Sequence, residues 1–321
     1  MQEIIQKYLR AFKRLHLVRS HGIAPHKPIL LFSILQAFQN GLISNNKIYI
    51  TPELVALFKS NWNLLVVTNH ECRISYPFYY LKSDKFWKLV PKNGFENINQ
   101  MGSIMKTFSN LNAAVEYAVI EDDLHSLMED KNSNSILQQF LLDEYFPATK
   151  NNFSNSDSGQ QKLFDDIEGK ILREDATDYR NEIKKLIQQQ NEEEIFLRGS
   201  LFKREIPKIY NYTCCISGMK IDAIITVSMV DACHIVPFCE SYDDTITNGI
   251  ALCPNLHRAF DRGLIAIDEN YRVIVSITFT ENETNYSIKG FENQQITLPK
   301  LNNYFPLKNN FEWHRNNVFK T

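Results

Sequence analysis

The six cysteines, Cys72, Cys214, Cys215, Cys233, Cys239 and Cys253, include no Cys-x-x-Cys pair. That spacing is what a zinc knuckle needs, so no structural zinc is expected, and isolated thiols suit a reducing compartment. No apolar run approaches the length of a membrane span. The opening residues Met1 to Lys7 are amphipathic, without the apolar centre of a secretory leader. These absences exclude a membrane role and place the chain in the cytoplasm as an expectation. Internal repeats are absent too. What is present is ordinary for a globular protein: 44% hydrophobic and 22% charged residues over 321 positions, enough for two domains.

A net charge of −2 conceals an uneven distribution. Residues 1–92 carry 13 Lys and Arg against 4 Asp and Glu, whereas residues 93–147 carry 2 against 9. Residues 148–194 hold 7 against 11, and residues 195–321 are balanced at 13 each. The first third is therefore the candidate surface for a polyanion, with nucleic acid the best fit.

Periodicity predicts helices over 3–17, 28–40 and 52–62, the last capped by Thr51 ahead of Pro52 and Glu53. A short strand is predicted at 47–50. Tyr76 to Leu81 and Phe86 to Val90 read as two strands of a hairpin around Lys82 to Lys85. Helices, with a strand near 113–119, fill 98–146. Residues 149–161 are polar and aperiodic and read as a flexible linker, followed by charged helices over 162–194. The predicted organisation is thus 1–147, a linker and spacer over 148–194, and 195–321.

The chemistry concentrates in the last part. Asp231-Ala232-Cys233-His234-Ile235-Val236-Pro237 reads as the end of an apolar strand that starts near Ile224, closed by proline. Asn248-Gly249 reads as a turn, and Pro254 to Gly263 as a short helix carrying His257 and Asp261 on one face. Two imidazoles flanking an amide suit phosphodiester hydrolysis. One acts as base near neutral pH, and the other, beside a carboxylate, holds a cation. Arg258 and Arg262, also four apart, are candidate phosphate donors.

The order His234, Asn248, His257 in these contexts resembles the HNH (ββα-metal) endonucleases, most closely the McrA-like branch found in modification-dependent restriction enzymes. Leu197-Arg198 through Phe202, Tyr210, the run Cys214 to Gly218 and the tail Trp313 to Phe319 are similar to that branch. The resemblance implies His234 as general base, Asn248 as orienter of loop and base or as a metal contact, and His257 as a ligand of Mg²⁺ or Mn²⁺. Many relatives carry Asp or His where this chain has Cys233. Asp231 is the nearest carboxylate and the candidate second metal ligand; in a regular strand it faces away from His234, so it would reach the metal only where the backbone bends.

His26-Lys27-Pro28, then Arg73 to Phe78 and Phe86-Trp87, resemble the sulfur-binding domain of enzymes that recognise phosphorothioate DNA. That resemblance implies a winged-helix-like domain in which Tyr76, Pro77 and the Lys27 stem form an apolar cup, with His26 and Arg73 nearby. The family often has Arg at the Lys27 position, and lysine offers a point charge in place of a fork. The sequence therefore predicts an α+β protein: an N-terminal winged-helix-like α/β DNA-reading domain and a C-terminal ββα-metal nuclease. Its partner would be double-stranded, phosphorothioate-modified DNA, cut by a protein that can act as a homodimer. The alternatives are a binding protein with an inactive HNH domain, and a nuclease that reads a modified base or plain duplex.

Overall fold

The computed structural model describes residues 2–18, 23–154, 159–221, 228–282, 284 and 287–321. The chain divides into two compact units, Met1–Asp165 and Asp166–Thr321. Among the described residues, no helix is long and apolar enough to cross a membrane.

The first unit runs α1 (Gln2–Lys13), α2 (His26–Gln39), β1 (Lys47–Ile48), α3 (Pro52–Leu65), α4 (Ser75–Tyr80), β2 (Trp87–Pro91), α5 (Phe108–Ala114), β3 (Val115–Ile120), α6 (Asp122–Glu129), α7 (Lys131–Tyr145) and α8 (Lys150–Ser154). Helix α2 has apolar residues on every side and is buried accordingly, with Ile29 to Phe32, Ile34 and Leu35 fully enclosed. Thr51 caps α3 by accepting from the Leu54 amide at 3.2 Å. The three strands form an antiparallel sheet in the order β1-β3-β2. In β2, Trp87 and Leu89 face the core and Lys88 faces solvent, the alternation of a half-buried strand.

The predicted hairpin over 76–90 is corrected. Its first arm is helix α4, followed by a 3-10 turn at Leu81–Ser83, and only the second arm is a strand. Aromatic residues favour strands by packing on a pleated face. Here Pro77, Phe78 and Tyr79 are buried in succession, a pattern that no two-faced strand can give. Proline in a first helical turn costs no hydrogen bond. The Trp87 indole donates to the Phe78 carbonyl at 3.0 Å, and the Tyr79 hydroxyl donates to the Ile98 carbonyl at 2.8 Å.

The stretch predicted as an unstructured linker is helical on both sides of 155–158, which lie outside the described residues, because α8 precedes them and α9 (Gly159–Arg173) follows. Of the loop expected at 20–28, residues 20–22 are likewise outside the described residues.

The second unit continues with α10 (Ala176–Gln188), α11 (Glu192–Ile209), β4 (Asp231–His234), α12 (Phe238–Ser241), β5 (Gly249–Leu252), α13 (Pro254–Asp261), β6 (Ile265–Ile267), β7 (Val273–Val275) and α14 (Lys308–Asn317). The apolar run expected to lead into β4 falls partly at 224–227, outside the described residues. Strands β4 and β5 pair antiparallel, with His234 opposite Gly249 and Cys233 opposite Ile250. Helix α11 lays Leu197, Leu201, Phe202 and Ile206 inward.

Gly249 is extended rather than a turn residue. Its role is close approach: a Cβ there would lie 2.3 Å from Ile206 Cδ1 and 2.8 Å from Phe202. Gly263 ends α13 with φ +71, and a Cβ would stand 2.0 Å from the Val318 carbonyl oxygen. Backbone cannot yield as a side-chain tip can. Gly263→Ala is therefore expected to destabilise the chain by at least about 2 kcal/mol, through left-handed strain and this clash. Thermal unfolding checks it, and an unchanged midpoint would refute the packing argument. The α14 helix is fastened beside this point by His314, whose ring stacks on Phe260 at 3.7 Å and whose Nε2 faces the Phe260 carbonyl at 3.0 Å.

Candidate functional site

Strand β4 is regular, so Asp231 and Cys233 point one way and His234 the other. The first pair faces α13. His257 Nδ1 lies 3.5 Å from Asp231 Oδ2, and its Nε2 lies 3.4 Å from Asp261 Oδ2, one helical turn on. The buried Cys233 Sγ lies 3.8 Å from Asp261 Oδ1. Ligand atoms of Cys233, His257 and Asp261 all fall within 4.8 Å of one another.

The donor set fits a divalent cation, with an imidazole flanked by two exposed carboxylates and a thiol beneath. Carboxylate with imidazole suits Mn²⁺ or Mg²⁺, whereas a thiolate in the set would favour a softer ion such as Zn²⁺. Burial, and then the charge of Asp261, push the Cys233 thiol well above its ordinary range. It stays protonated unless a cation displaces the proton. Cys233 escaped the sequence reading because it stood only as a departure from a pattern. Its i, i+2 relation to Asp231 was the available signal.

His234 belongs to the opposite face of the ribbon. Its ring stacks on Phe202 of α11, with centroids 3.9 Å apart and planes 11° apart. Its Nε2 lies 2.8 Å from Asp244 Oδ1. The carboxylate and the stack fix the ring's plane and tautomer, which leaves Nδ1 as the nitrogen able to take a proton. Asp244 is almost fully buried, while the His234 side chain keeps 22% of its surface exposed. Next to it, Asp243 accepts from the Thr245 amide at 2.9 Å and from Arg180 at 3.1 Å, so the loop bearing Asp244 is anchored.

Asn248 is fully buried, and its amide is spent on that loop rather than placed between the two imidazoles. Its Oδ1 accepts from the Val236 amide at 3.0 Å. Its Nδ2 donates to the Val236 carbonyl at 2.9 Å and the Asp243 carbonyl at 3.0 Å. His234 and His257 thus have separate partners. Arg258 on α13 and Arg262 at its C-cap are exposed. Nothing in the local pattern marks Asp244, whose place depends on a loop closed by Asn248.

Asp244→Asn is expected to lower any His234-dependent hydrolysis by about 10²-fold, because an amide can present the wrong tautomer partner and carries no charge to stabilise the imidazolium. A pH–rate profile separates this from misfolding: the acid limb, where the base loses its proton, shifts if Asp244 acts through the ring, and stays fixed if it only braces the loop.

In the first unit, a cavity of about 650 Å³ opens between the start of α2 and α4, with His26, Lys27, His70, Tyr76, Pro77 and Tyr80 in its wall. His26 packs 4.7 Å from Trp62 and 5.6 Å from Tyr76, and its Nε2 faces the Glu71 carbonyl at 2.9 Å. Arg73 does not line the cavity. It pairs with Glu71 at 2.7 Å and sits 6.0 Å from the centre of the Tyr76 ring.

Burial holds His26 and His314 down to about 4, from an ordinary 6.5. Both are neutral in the folded chain, so the unfolded chain binds more protons between those values. The resulting stability is complete above about pH 6.5 and is lost as pH falls toward 4, by about 3 kcal/mol for each histidine. Melting across pH 7 to 4.5 measures the loss. In His314→Gln the acid-side slope is expected to fall by one proton, about 1.4 kcal/mol per pH unit.

Residues 214–268 match the family described as HNH endonuclease, and these residues contain β4, β5, α13 and every group of the cation cluster. A solved structure of a "Modification dependent TagI restriction endonuclease" aligns at 18% identity and a TM-score of 0.28, over 36% of this chain and 37% of that one. No curated protein matches the chain.

Proposed function

We propose that the chain is a DNA endonuclease whose second unit hydrolyses phosphodiester bonds and whose first unit reads a modified backbone, with phosphorothioate the modification favoured. The carrying observation is that one β4–β5–α13 frame bears a carboxylate-fixed imidazole, His234 on Asp244, on one face of β4, and the Cys233, His257 and Asp261 cluster, with Asp231 beside it, on the other. In this reading His234 Nδ1 takes the proton of the attacking water. Asp244 stabilises the imidazolium that forms. Asn248 holds the loop that carries Asp244. A divalent cation held by His257 with Asp261 would carry charge developing on the phosphoryl and leaving oxygens, while Asp231, at the other ring nitrogen, would orient the imidazole. Arg258 and Arg262 would contact neighbouring phosphates.

The backbone-reading part is supported by the basic balance of residues 1–92 and by the cavity. Tyr76, Pro77, the Lys27 stem and His26 present apolar surface to it. A sulfur in place of a non-bridging oxygen is larger, more polarisable and a weaker hydrogen-bond acceptor, so such a wall can prefer it. Helices together with a three-stranded antiparallel sheet are compatible with a winged-helix-like reader.

The test is digestion of matched plasmids, with and without phosphorothioates, in Mg²⁺ or Mn²⁺. Cutting of the modified plasmid alone supports the whole reading. Equal cutting of both leaves a nuclease with a different reader, and binding without nicking under any divalent metal leaves a DNA-binding protein.

A further inference from the structure

We propose that Asp84 sets the selectivity of the first unit's cavity: by locking Lys27 into a buried ion pair, it removes the cation that an ordinary phosphate oxygen would seek. The cavity is then left to a weakly hydrogen-bonding, polarisable group, the sulfur of a phosphorothioate. The inference rests on the reading of this unit as a backbone reader and adds the residue that discriminates sulfur from oxygen.

Lys27 and Asp84 lie 57 positions apart in sequence, yet Lys27 Nζ sits 2.6 Å from Asp84 Oδ2. Both side chains are less than a tenth exposed. Lys27 gives a second N–H to the Ser83 hydroxyl at 2.9 Å. Asp84 is held from its other side, where Oδ1 accepts from the His16 amide at 3.2 Å and faces His16 Nδ1 at 3.0 Å. At most one N–H of the ammonium remains for a ligand, and its charge is cancelled at contact distance.

His26, also on the inner wall, is kept neutral by burial, and His16 and His70 line the cavity as well. What faces a ligand is therefore the apolar stem of Lys27, the Tyr76 ring, Pro77 and an uncharged imidazole. An oxyanion pressed against this inner wall would give up strong hydration and find the Lys27 ammonium already paired. A sulfur sheds its weaker hydration more readily and gains dispersion contacts with the wall. Lys106 is exposed on the same cavity, where it can meet the oxygen that the sulfur does not replace. Had the lysine been unpaired, charge would reward any phosphate, and specificity, a difference of two affinities, would shrink.

The experiment uses the full chain in EDTA, with fluorescence anisotropy on duplexes that differ by one sulfur. The wild type is expected to prefer the sulfur duplex. Asp84→Asn, which frees the ammonium, is expected to bind the all-oxygen duplex about tenfold tighter and to cut the preference by about the same factor. The double variant Lys27→Met with Asp84→Asn keeps an apolar stem without either charge and is expected to retain the preference. A wild-type preference that persists in a folded Asp84→Asn chain overturns the inference alone. A wild type that does not discriminate overturns the backbone-reading proposal and this inference with it. Should Asp84→Asn melt out, the double variant decides: a retained preference supports the assignment, and a lost one sinks it.

Discussion

His234→Ala is expected to lose about 10³-fold or more in DNA cleavage while binding DNA with wild-type affinity. The magnitude is that of removing a general base from a positioned water, on the order of 10²–10⁴. The site favours the upper part of that range. The ring is held in one plane by Phe202 and in one tautomer by Asp244, so its contribution is preorganised and no bulk base replaces it in place. The lost side chain also leaves Asp244 buried without its partner, which costs stability. Cleavage is therefore compared at a temperature where circular dichroism shows both chains folded. Cutting at wild-type rate by the variant would remove His234 from the chemistry and leave the stack on Phe202 as a packing feature.

His257→Ala is expected to abolish cation binding by the cluster and to reduce cleavage by at least about 10²-fold at any metal concentration. His257 is the hub: Asp231 approaches one ring nitrogen and Asp261 the other. Without the ring, two exposed carboxylates and a buried, protonated thiol are left to hold an ion. Calorimetric titration with Mg²⁺, Mn²⁺ and Zn²⁺ reads this directly. Cys233→Ser discriminates between kinds of ion: a cluster that works through its carboxylates keeps Mn²⁺ affinity, and one that uses the thiol loses Zn²⁺ affinity by an order of magnitude or more. Unchanged titrations in His257→Ala would show that the cluster is a surface ion network and not a cation site.

Much of the second unit's local architecture is legible in its residues. Proline at 237 and 254 and glycine at 263 punctuate β4 and α13, and the run from Asp231 to Gly263 is short enough for nearest neighbours to dictate strand, loop, strand and helix. Alternation along β4 also correctly separates Asp231 from His234. Tyr76 to Leu81 shows where such reading fails. Its aromatic residues and proline match a strand by propensity, yet the core accepts three consecutive side chains there, and burial outweighs a preference of well under a kilocalorie per residue. Gly249 reads locally as a turn residue, because the clash with Ile206 and Phe202 that requires glycine there exists only once α11 has docked on the ribbon.

By itself the sequence determined which elements form around the site and which face of each carries the imidazoles and carboxylates. These follow from spacing, propensity and chain stops within a few residues. Tertiary structure alone decided the partners: Asp244 for His234, ten positions away across a loop closed by Asn248, and Asp84 for Lys27, 57 positions away. The physical reason is that a buried charge must find its counter-charge wherever packing brings one within about 3 Å, and no local periodicity encodes that meeting.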